Sequence, residues 1–421
     1  MTAFPGWLPP RAVAAMAAAC LLAGVPAARA QVAPPFAELY RQTSNAPRQV
    51  ELDAEVERAE GLARQARARP NPTVSVMTEN VFGQSPYDGF GRSENTFQIN
   101  QPVELGGKRS ARIAAGLAGV EAAQLRTREG RLAYAYELAR AYAAAEIADR
   151  RIQLAQAAVS EAEADLKVAV ALVDAGKEAR LRSLQAETEA NALRALVDTA
   201  KAEKTGAYAR LSAFAGQGQA YTSLADPLLS RLWSRVEAGP IDASSAPPYL
   251  TAKAEAEAAS QRVTLARRQA VPDVTISLGV RRLEIDKANA LVAGLTVPFP
   301  LFDRNRGNID AAQAELRGAQ AREAALRLEI DAAIRGALAM NEAANARSAA
   351  ADRTLATAQE GYRLARIAYE AGKSPLIELI ASRRALAVAR GVVLDARASQ
   401  FDARANLARL QGQTITGDII Q

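Results

Sequence analysis

The chain repeats itself at a separation of 196 residues, and this duplication limits the available folds more than any other feature. Ala175-Gly176-Lys177 returns as Ala371-Gly372-Lys373, while Pro102 and Leu105 of Gln-Pro-Val-Glu-Leu return as Pro298 and Leu301 of Val-Pro-Phe-Pro-Leu. Further upstream, Pro70-x-x-Thr73-Val-Ser-Val matches Pro272-x-x-Thr275-Ile-Ser-Leu at an offset of 202. The six-residue drift falls in hairpin loops, where length changes are tolerated. A unit of this size is too long for a solenoid repeat, so two copies imply one structural plan built twice with internal pseudo-symmetry. The expected organisation is residues 31–215 for the first repeat, 216–249 for a link, 250–412 for the second repeat and 413–421 for a tail. The two repeats form one intertwined domain.

Inside each copy, two short segments switch from helical to alternating periodicity, the mark of strands with two unlike faces. In the second copy Val274, Ile276, Leu278 and Val280 alternate with Thr275, Ser277, Gly279 and Arg281, and Leu291, Ala293, Leu295 and Val297 continue the pattern. The first copy sets Val74 and Val76 against Thr73 and Ser75, then Phe97 and Ile99 against Gln98 and Asn100. These patterns predict strands at about 73–82, 95–104, 273–281 and 290–299, joined by polar loops at 83–94 and 282–287. Such strands fit either a soluble sheet packed on one face or a barrel with lipid outside and a lumen inside. About 10 residues suits a tilted spanning strand. Four strands cannot close a barrel, since the smallest filled ones have about eight. A cyclic dimer would supply eight strands and a cyclic trimer twelve, and patterning alone does not choose.

The remainder reads as helix. No proline interrupts Lys108 to Asp174, and the pattern resumes from Glu178 to Ala215; the second copy repeats this over about 307–371 and 375–411. Leu379, Leu386, Val393 and Leu407 share a seven-residue register broken at Gln400, with Ala389, Ala396, Ala403 and Leu410 three positions later. That is coiled-coil spacing. Alanine carries much of the 49% hydrophobic content while aromatics make up only 5%, which suits thin helices packed along their length. Gly176 and Gly372 stand where paired helices must reverse, so two helical tips are expected there, each followed by a lysine, Lys177 and Lys373. The link, with Leu228, Leu229, Leu232 and Trp233, is expected to pack as a belt against the long helices.

Residues 1–30 lack Asp and Glu, carry Arg11 before an apolar run from Ala12 to Pro26, and end in Ala28-Arg29-Ala30. They read as a secretory signal peptide cleaved before Gln31. Cys20 admits a lipoprotein reading, although Ala17-Ala18-Ala19 lacks the large apolar residue expected three before such a cysteine. No later segment has the roughly 18–20 apolar residues of a spanning helix, so a membrane crossing would use strands.

Cleavage removes the sole cysteine, and the chain contains no histidine, so disulfides and Cys/His metal sites are excluded from the mature protein. Ser-His-Asp triads and Cys-His pairs are excluded with them, which lowers the case for an enzyme and leaves carboxylate, Lys or Tyr mechanisms. No cofactor is expected. Removing the two signal arginines from 52 basic residues, against 46 acidic ones, leaves a net charge near +4 scattered along the helices. This is a solvated surface with no nucleic-acid stripe. Gly106-Gly107-Lys108-Arg109-Ser110 resembles the end of a phosphate loop, but Pro102 occupies the required earlier glycine.

The duplicated strand-hairpin and helix-hairpin plan resembles the TolC family of outer-membrane efflux proteins across essentially the whole mature chain. The junctions Glu104-Leu105-Gly106-Gly107-Lys108-Arg109 and Pro300-Leu301-Phe302-Asp303-Arg304-Asn305-Arg306 look like its CzcC-type heavy-metal branch. The resemblance implies a mainly α fold with a β-barrel part: a homotrimer whose four strands per chain make a twelve-stranded outer-membrane barrel above a periplasmic helical tunnel. It implies lipid around the barrel, and an adaptor and an inner-membrane RND pump at Gly176, Lys177, Gly372 and Lys373. The cargo it implies is divalent heavy-metal cations, conducted passively. Family members constrict just after the second tip and latch just before it, positions occupied here by Glu378 and Tyr369. The matching position in the first copy is Arg182, where an acidic residue is expected; an Arg182–Glu378 ion pair could replace the latch. Gly106 and Gly107 would permit the strand-to-helix bend, Asp303 or Asn305 would cap, and Arg304 would sit at the membrane border. Two other readings stay open: the same duct serving drugs or protein secretion, and a soluble periplasmic coiled-coil interaction protein.

Overall fold

The computed structural model describes residues 31–231 and 241–418; the signal segment, Cys20, Leu232 and Trp233 lie outside the described residues. In chain order the elements are β1 (Gln31–Ala33), α1 (Phe36–Gln42), α2 (Pro47–Ala66), β2 (Thr73–Glu79), β3 (Glu94–Val103), α3 (Lys108–Asp174) and α4 (Arg180–Phe214). Then come β4 (Tyr221–Leu224), α5 (Leu228–Arg231), α6 (Pro247–Gln269), β5 (Val274–Leu283), β6 (Ala288–Thr296), α7 (Arg306–Glu370) and α8 (Leu376–Leu410). The order α2-β2-β3-α3-α4 thus recurs as α6-β5-β6-α7-α8.

Both α2 and α6 begin with proline directly after an extended alanine, Ala46-Pro47 and Ala246-Pro247, where proline's missing N–H costs nothing. These two helices precede the strands and were not among the sequence expectations. Helix α3 has 67 residues and α7 has 65, each roughly 100 Å long at 1.5 Å per residue. They end in the same way. Gly176 (φ 69°) and Gly372 (φ 68°) take the left-handed conformation. Lys177 N then donates to Leu172 O and Lys373 N to Ala368 O, while the glycine N–H groups donate to Val173 O and Tyr369 O. This paired pattern satisfies the last carbonyls and turns the chain into α4 and α8.

Alanine sets the helix spacing. Ala122 of α3 buries against Ala254 and Ala258 of α6, and Ala256 and Ala259 pack on Ala319 of α7. In α8 the expected register is buried at Leu379, Leu386, Ala389, Ala396, Leu407 and Leu410, with Val393 and Ala403 half-buried. Gln400, which breaks the register, donates to Asn345 of α7. Midway along the helices lies the largest core, where Phe36, Leu39, Leu138, Tyr142, Leu211, Tyr221, Leu228, Leu229 and Phe401 close on one another. Tyr134 donates to Phe214 O at 2.6 Å and Tyr142 to Asp226 O at 2.7 Å. The buried Glu146 carboxylate accepts from Leu229 N at 2.9 Å. Strand β1 pairs in parallel with β4 here, so the belt recruits the start of the first repeat as well as the link.

The four longer strands form one antiparallel sheet in the order β2-β3-β5-β6, with β3 and β5 joining the two copies. Strand ends depart from the sequence expectation for local reasons. Strand β2 stops at Glu79, short of 82, because Asn80 adopts φ 60°. Strand β6 ends at Thr296, short of 299, just before Pro298 and Pro300, whose missing N–H groups cannot extend a ladder. Strand β5 runs on to Leu283 and leaves only residues 284–287 for its turn.

Candidate functional site: a two-faced sheet and a helical gate

The ladder registers sort the sheet into two faces. Val74, Ile99, Leu278 and Ala293 form one cross-strand row, and Val76, Phe97, Val280 and Leu291 the next. The opposite face carries Thr73, Asn100, Ser277 and Gly294, then Ser75, Gln98, Gly279 and Val292. The apolar rows are open: Val74 is 74% exposed, Leu278 63% and Leu291 90%. An exposed apolar face of this size needs a partner, and lipid supplies one when the other face meets water. Exposed aromatics rim both ends, Phe82 and Phe90 on the hairpin loop and Phe299 and Phe302 beside the helices, the depths at which barrels carry aromatic girdles. Strands β2 and β6 each keep one edge unpaired within the chain. Such edges cannot stand in hydrocarbon.

Between sheet and helices, Gly106 (φ 67°) and Gly107 (φ 74°) form the bend into α3. A Cβ on Gly106 would lie 2.7–2.9 Å from three atoms of Val271, so the site excludes a side chain on spatial grounds too. The basic residues that follow staple the end of α2. Arg109 donates to Arg67 O at 2.9 Å, and Arg112 donates to Ala66 O and Ala68 O and pairs with Glu104. Lys108 meets Asp273 at 2.8 Å. In the second copy Asn305 (φ 58°) precedes α7, and neither candidate cap donates or accepts as a side-chain cap to that helix. Asp303 instead accepts from Asn305 N at 2.8 Å, and the Asn305 amide donates to Ala266 O of α6 at 2.7 Å. The left-handed Asn305 redirects the chain, and its side chain ties the two helices together: its amide donates to α6 while its Oδ1 accepts from the Asn308 side chain in the first turn of α7 at 2.6 Å. Arg304 is exposed.

At the tips, Tyr369 is buried to 1% exposure, and its hydroxyl has no hydrogen-bond partner among the described residues. Burial, Glu178 and Asp165 hold its pKa above the ordinary value, against a pull from Arg182. Arg182 lies 3.8 Å from Glu178, one turn away, and donates to Gln185 at 3.1 Å. The expected Arg182–Glu378 pair is therefore not formed, because Glu178 is the nearer carboxylate on Arg182's own segment. Glu378 is exposed in the first turn of α8 and makes no ion pair among the described residues. Gly176, Lys177, Gly372 and Lys373 are exposed.

Above the tips, all four long helices contribute to one buried cluster, centred on Arg383 and Asp165, that the sequence reading missed. Arg383 of α8, 2% exposed, pairs with Asp165 of α3 at 3.2 Å and with Glu189 of α4 at 3.0 Å. Tyr362 of α7 donates to Asp165 at 3.3 Å. Arg383 follows Leu379 by four positions, and a cation on the buried seam was the available signal. Burial pushes the Asp165 carboxyl up to about 6 against the pull of Arg383, Tyr362 and Arg366, with Glu161 adding to the rise. A folded-state pKa above the unfolded value gives stability that is fully present below about pH 4 and is lost as pH rises through 6. The stability difference between wild type and Asp165→Asn is expected to change by about 2 kcal/mol between pH 4 and 7, in favour of wild type at the acid end. Helical circular-dichroism melts across that range measure it; a constant difference would contradict the assignment.

A two-faced sheet with open edges, joined to long helical hairpins, defines a subunit of a membrane channel. The outer membrane efflux protein family is matched over residues 39–217 and 244–413, and the chain belongs to that family. It is 41% identical over 404 residues to the nickel-cobalt-cadmium resistance protein NccC of Alcaligenes xylosoxydans xylosoxydans, covering 96% of this chain and 92% of the relative. It is 29% identical over 371 residues to the cobalt-zinc-cadmium resistance protein CzcC of Cupriavidus metallidurans, covering 85% of each. The fold is shared with the outer membrane protein VceC of Vibrio cholerae, at a TM-score of 0.75 and 21% identity over 90% of this chain and 96% of that one. CusC, a protein studied for folding and transmembrane channel formation, superposes at 0.76 with 18% identity over 90% and 92%. The chain is thus an outer-membrane efflux channel protein with an α-helical part reaching into the periplasm.

Proposed function

We propose that this chain is the outer-membrane duct of a tripartite assembly, and that it passes divalent heavy-metal cations from an inner-membrane RND pump and a periplasmic adaptor to the outside. The observation that carries the duct is the segregated sheet, whose apolar face and open edges call for lipid and for further copies of itself. Three copies bring twelve strands, the number the family resemblance implies. The 41% identity to a nickel-cobalt-cadmium resistance protein supports the cargo. A mature chain without Cys or His suits passage over capture, since soft, tight ligands would retain the ion. The chain conducts and does no chemistry.

In this reading the exposed tips at Gly176, Lys177, Gly372 and Lys373 receive the adaptor, and Tyr369 and Arg182 belong to the gate. Three copies of Glu378 around an axis would make an acidic ring that favours cations. Glu378→Gln is expected to lower the cation preference of single reconstituted channels, and Glu378→Lys to reverse it; preference unmoved by both substitutions removes the ring. For the cargo, a strain deleted for this chain should lose tolerance to nickel, cobalt, zinc or cadmium and keep its tolerance to apolar drugs. The converse pattern of sensitivity would assign the duct to a drug pump.

A further inference from the structure

Charge is almost absent from the polar face of the sheet. Thr73, Ser75, Gln98, Asn100, Thr275 and Ser277 are all neutral, and only Glu79, Glu94 and Arg281 are charged there. All three lie at the end farthest from the helices, where β2 and β3 meet the 80–93 loop and β5 nears its turn. Glu79 and Glu94 are direct cross-strand partners, an arrangement that repels. Arg281 reaches them from β5: Nη1 lies 2.8 Å from Glu94, Nη2 lies 3.4 Å from Glu79, and Nε donates to Thr96 at 3.1 Å. One cation therefore answers two carboxylates, and each chain keeps a net charge of −1 at this level.

We infer that Glu79, Glu94 and Arg281 are specificity-determining residues for conduction, a charge collar at the outer mouth of the barrel. The inference rests on the duct reading. Around a closed barrel every copy adds the same excess of negative charge, and no other charge on this face of the sheet competes with it. The collar favours cations leaving the lumen and opposes anions entering from outside, independently of any ring at the helical tips. A plain cross-strand clamp would use the same contacts, but it would leave permeation indifferent to the sign of the charge.

The test is the reversal potential of the reconstituted full-length protein in asymmetric potassium chloride at low ionic strength. Relative to wild type, Arg281→Gln should raise the cation-to-anion permeability ratio and Glu79→Gln should lower it, by about two- to fivefold per unit charge. The double variant Glu79→Gln/Glu94→Gln should fall furthest, and Arg281→Lys should match wild type. Should the Gln variants fail to assemble, Glu79→Cys gives a single thiol in a mature chain that otherwise lacks one. Labelling that thiol in the inserted pore with a sulfonate-bearing reagent should restore cation preference, and an ammonium-bearing reagent should depress it. A ratio unmoved by the variants or by the labels, in pores that still conduct, overturns the collar and leaves the duct standing. Wild-type protein that does not conduct at all overturns the duct and the collar with it.

Discussion

Arg383→Ala is expected to destabilise the folded chain by about 3–5 kcal/mol, because it removes the only counter-charge among the described residues within ion-pair distance of Asp165, a carboxylate buried between the long helices. Asp165 is 5% exposed and Glu189 13% exposed as side chains, so neither recovers full hydration when the guanidinium is gone. The cost is mainly the stranded charge, with lost attraction secondary. Asp165→Asn combined with Arg383→Met should accordingly recover part of the loss, which a simple deletion of favourable contacts would not. Arg384 is the internal control: it also pairs with Glu189, but at 65% side-chain exposure its removal should cost less than about 1 kcal/mol. Thermal loss of the helical signal compares all three. Equal losses for Arg383→Ala and Arg384→Ala would show that the four-helix contact is not the anchor described above.

A second large effect separates the faces of the sheet by a single residue step. Ile99 lies in the apolar row between Val74 and Leu278, and its neighbour Gln98 lies in the polar row between Ser75 and Gly279. Arginine at a lipid-facing midplane position costs about 2–4 kcal/mol, repeated in every copy of the chain around the barrel, whereas a lumen position tolerates it. Ile99→Arg should therefore abolish recovery of the protein from the outer-membrane fraction. Gln98→Arg should insert normally and alter conductance. Membrane fractionation followed by channel recording distinguishes the two, and insertion of Ile99→Arg with loss of Gln98→Arg would invert the facing of the sheet.

The architecture was legible in the sequence where one local pattern determines one outcome. Alternation placed the strands and their faces, the proline-free runs placed the long helices, and Ala-Gly-Lys marked both reversals because a left-handed residue is needed there. Less was readable where distant segments cooperate. Nothing in 31–45 announced that β1 would pair with β4 and fold into the belt, and α2 and α6 carry no unusual periodicity. The partner of Arg182 depended on which carboxylate lay nearer in space, and it proved to be Glu178. Arg383 stood on the apolar seam of α8, where a cation demands an explanation, yet its carboxylates come from residues about 194 and 218 positions earlier in the chain. The junctions were half legible: Gly106 and Gly107 bend as their composition requires, while Asp303 holds the turn and Asn305 links α6 to the Asn308 side chain of α7 in place of capping a backbone N–H.

The duct depends on the four-stranded sheet being one part of a closed pore in a membrane. The direct measurement is the mass of the detergent-purified, cross-linked protein from the outer-membrane fraction, taken together with its conductance in a planar bilayer. Three copies of the mature chain per particle with discrete ohmic channels is the predicted result, and a monomer that fractionates with soluble periplasmic protein and does not conduct would contradict it.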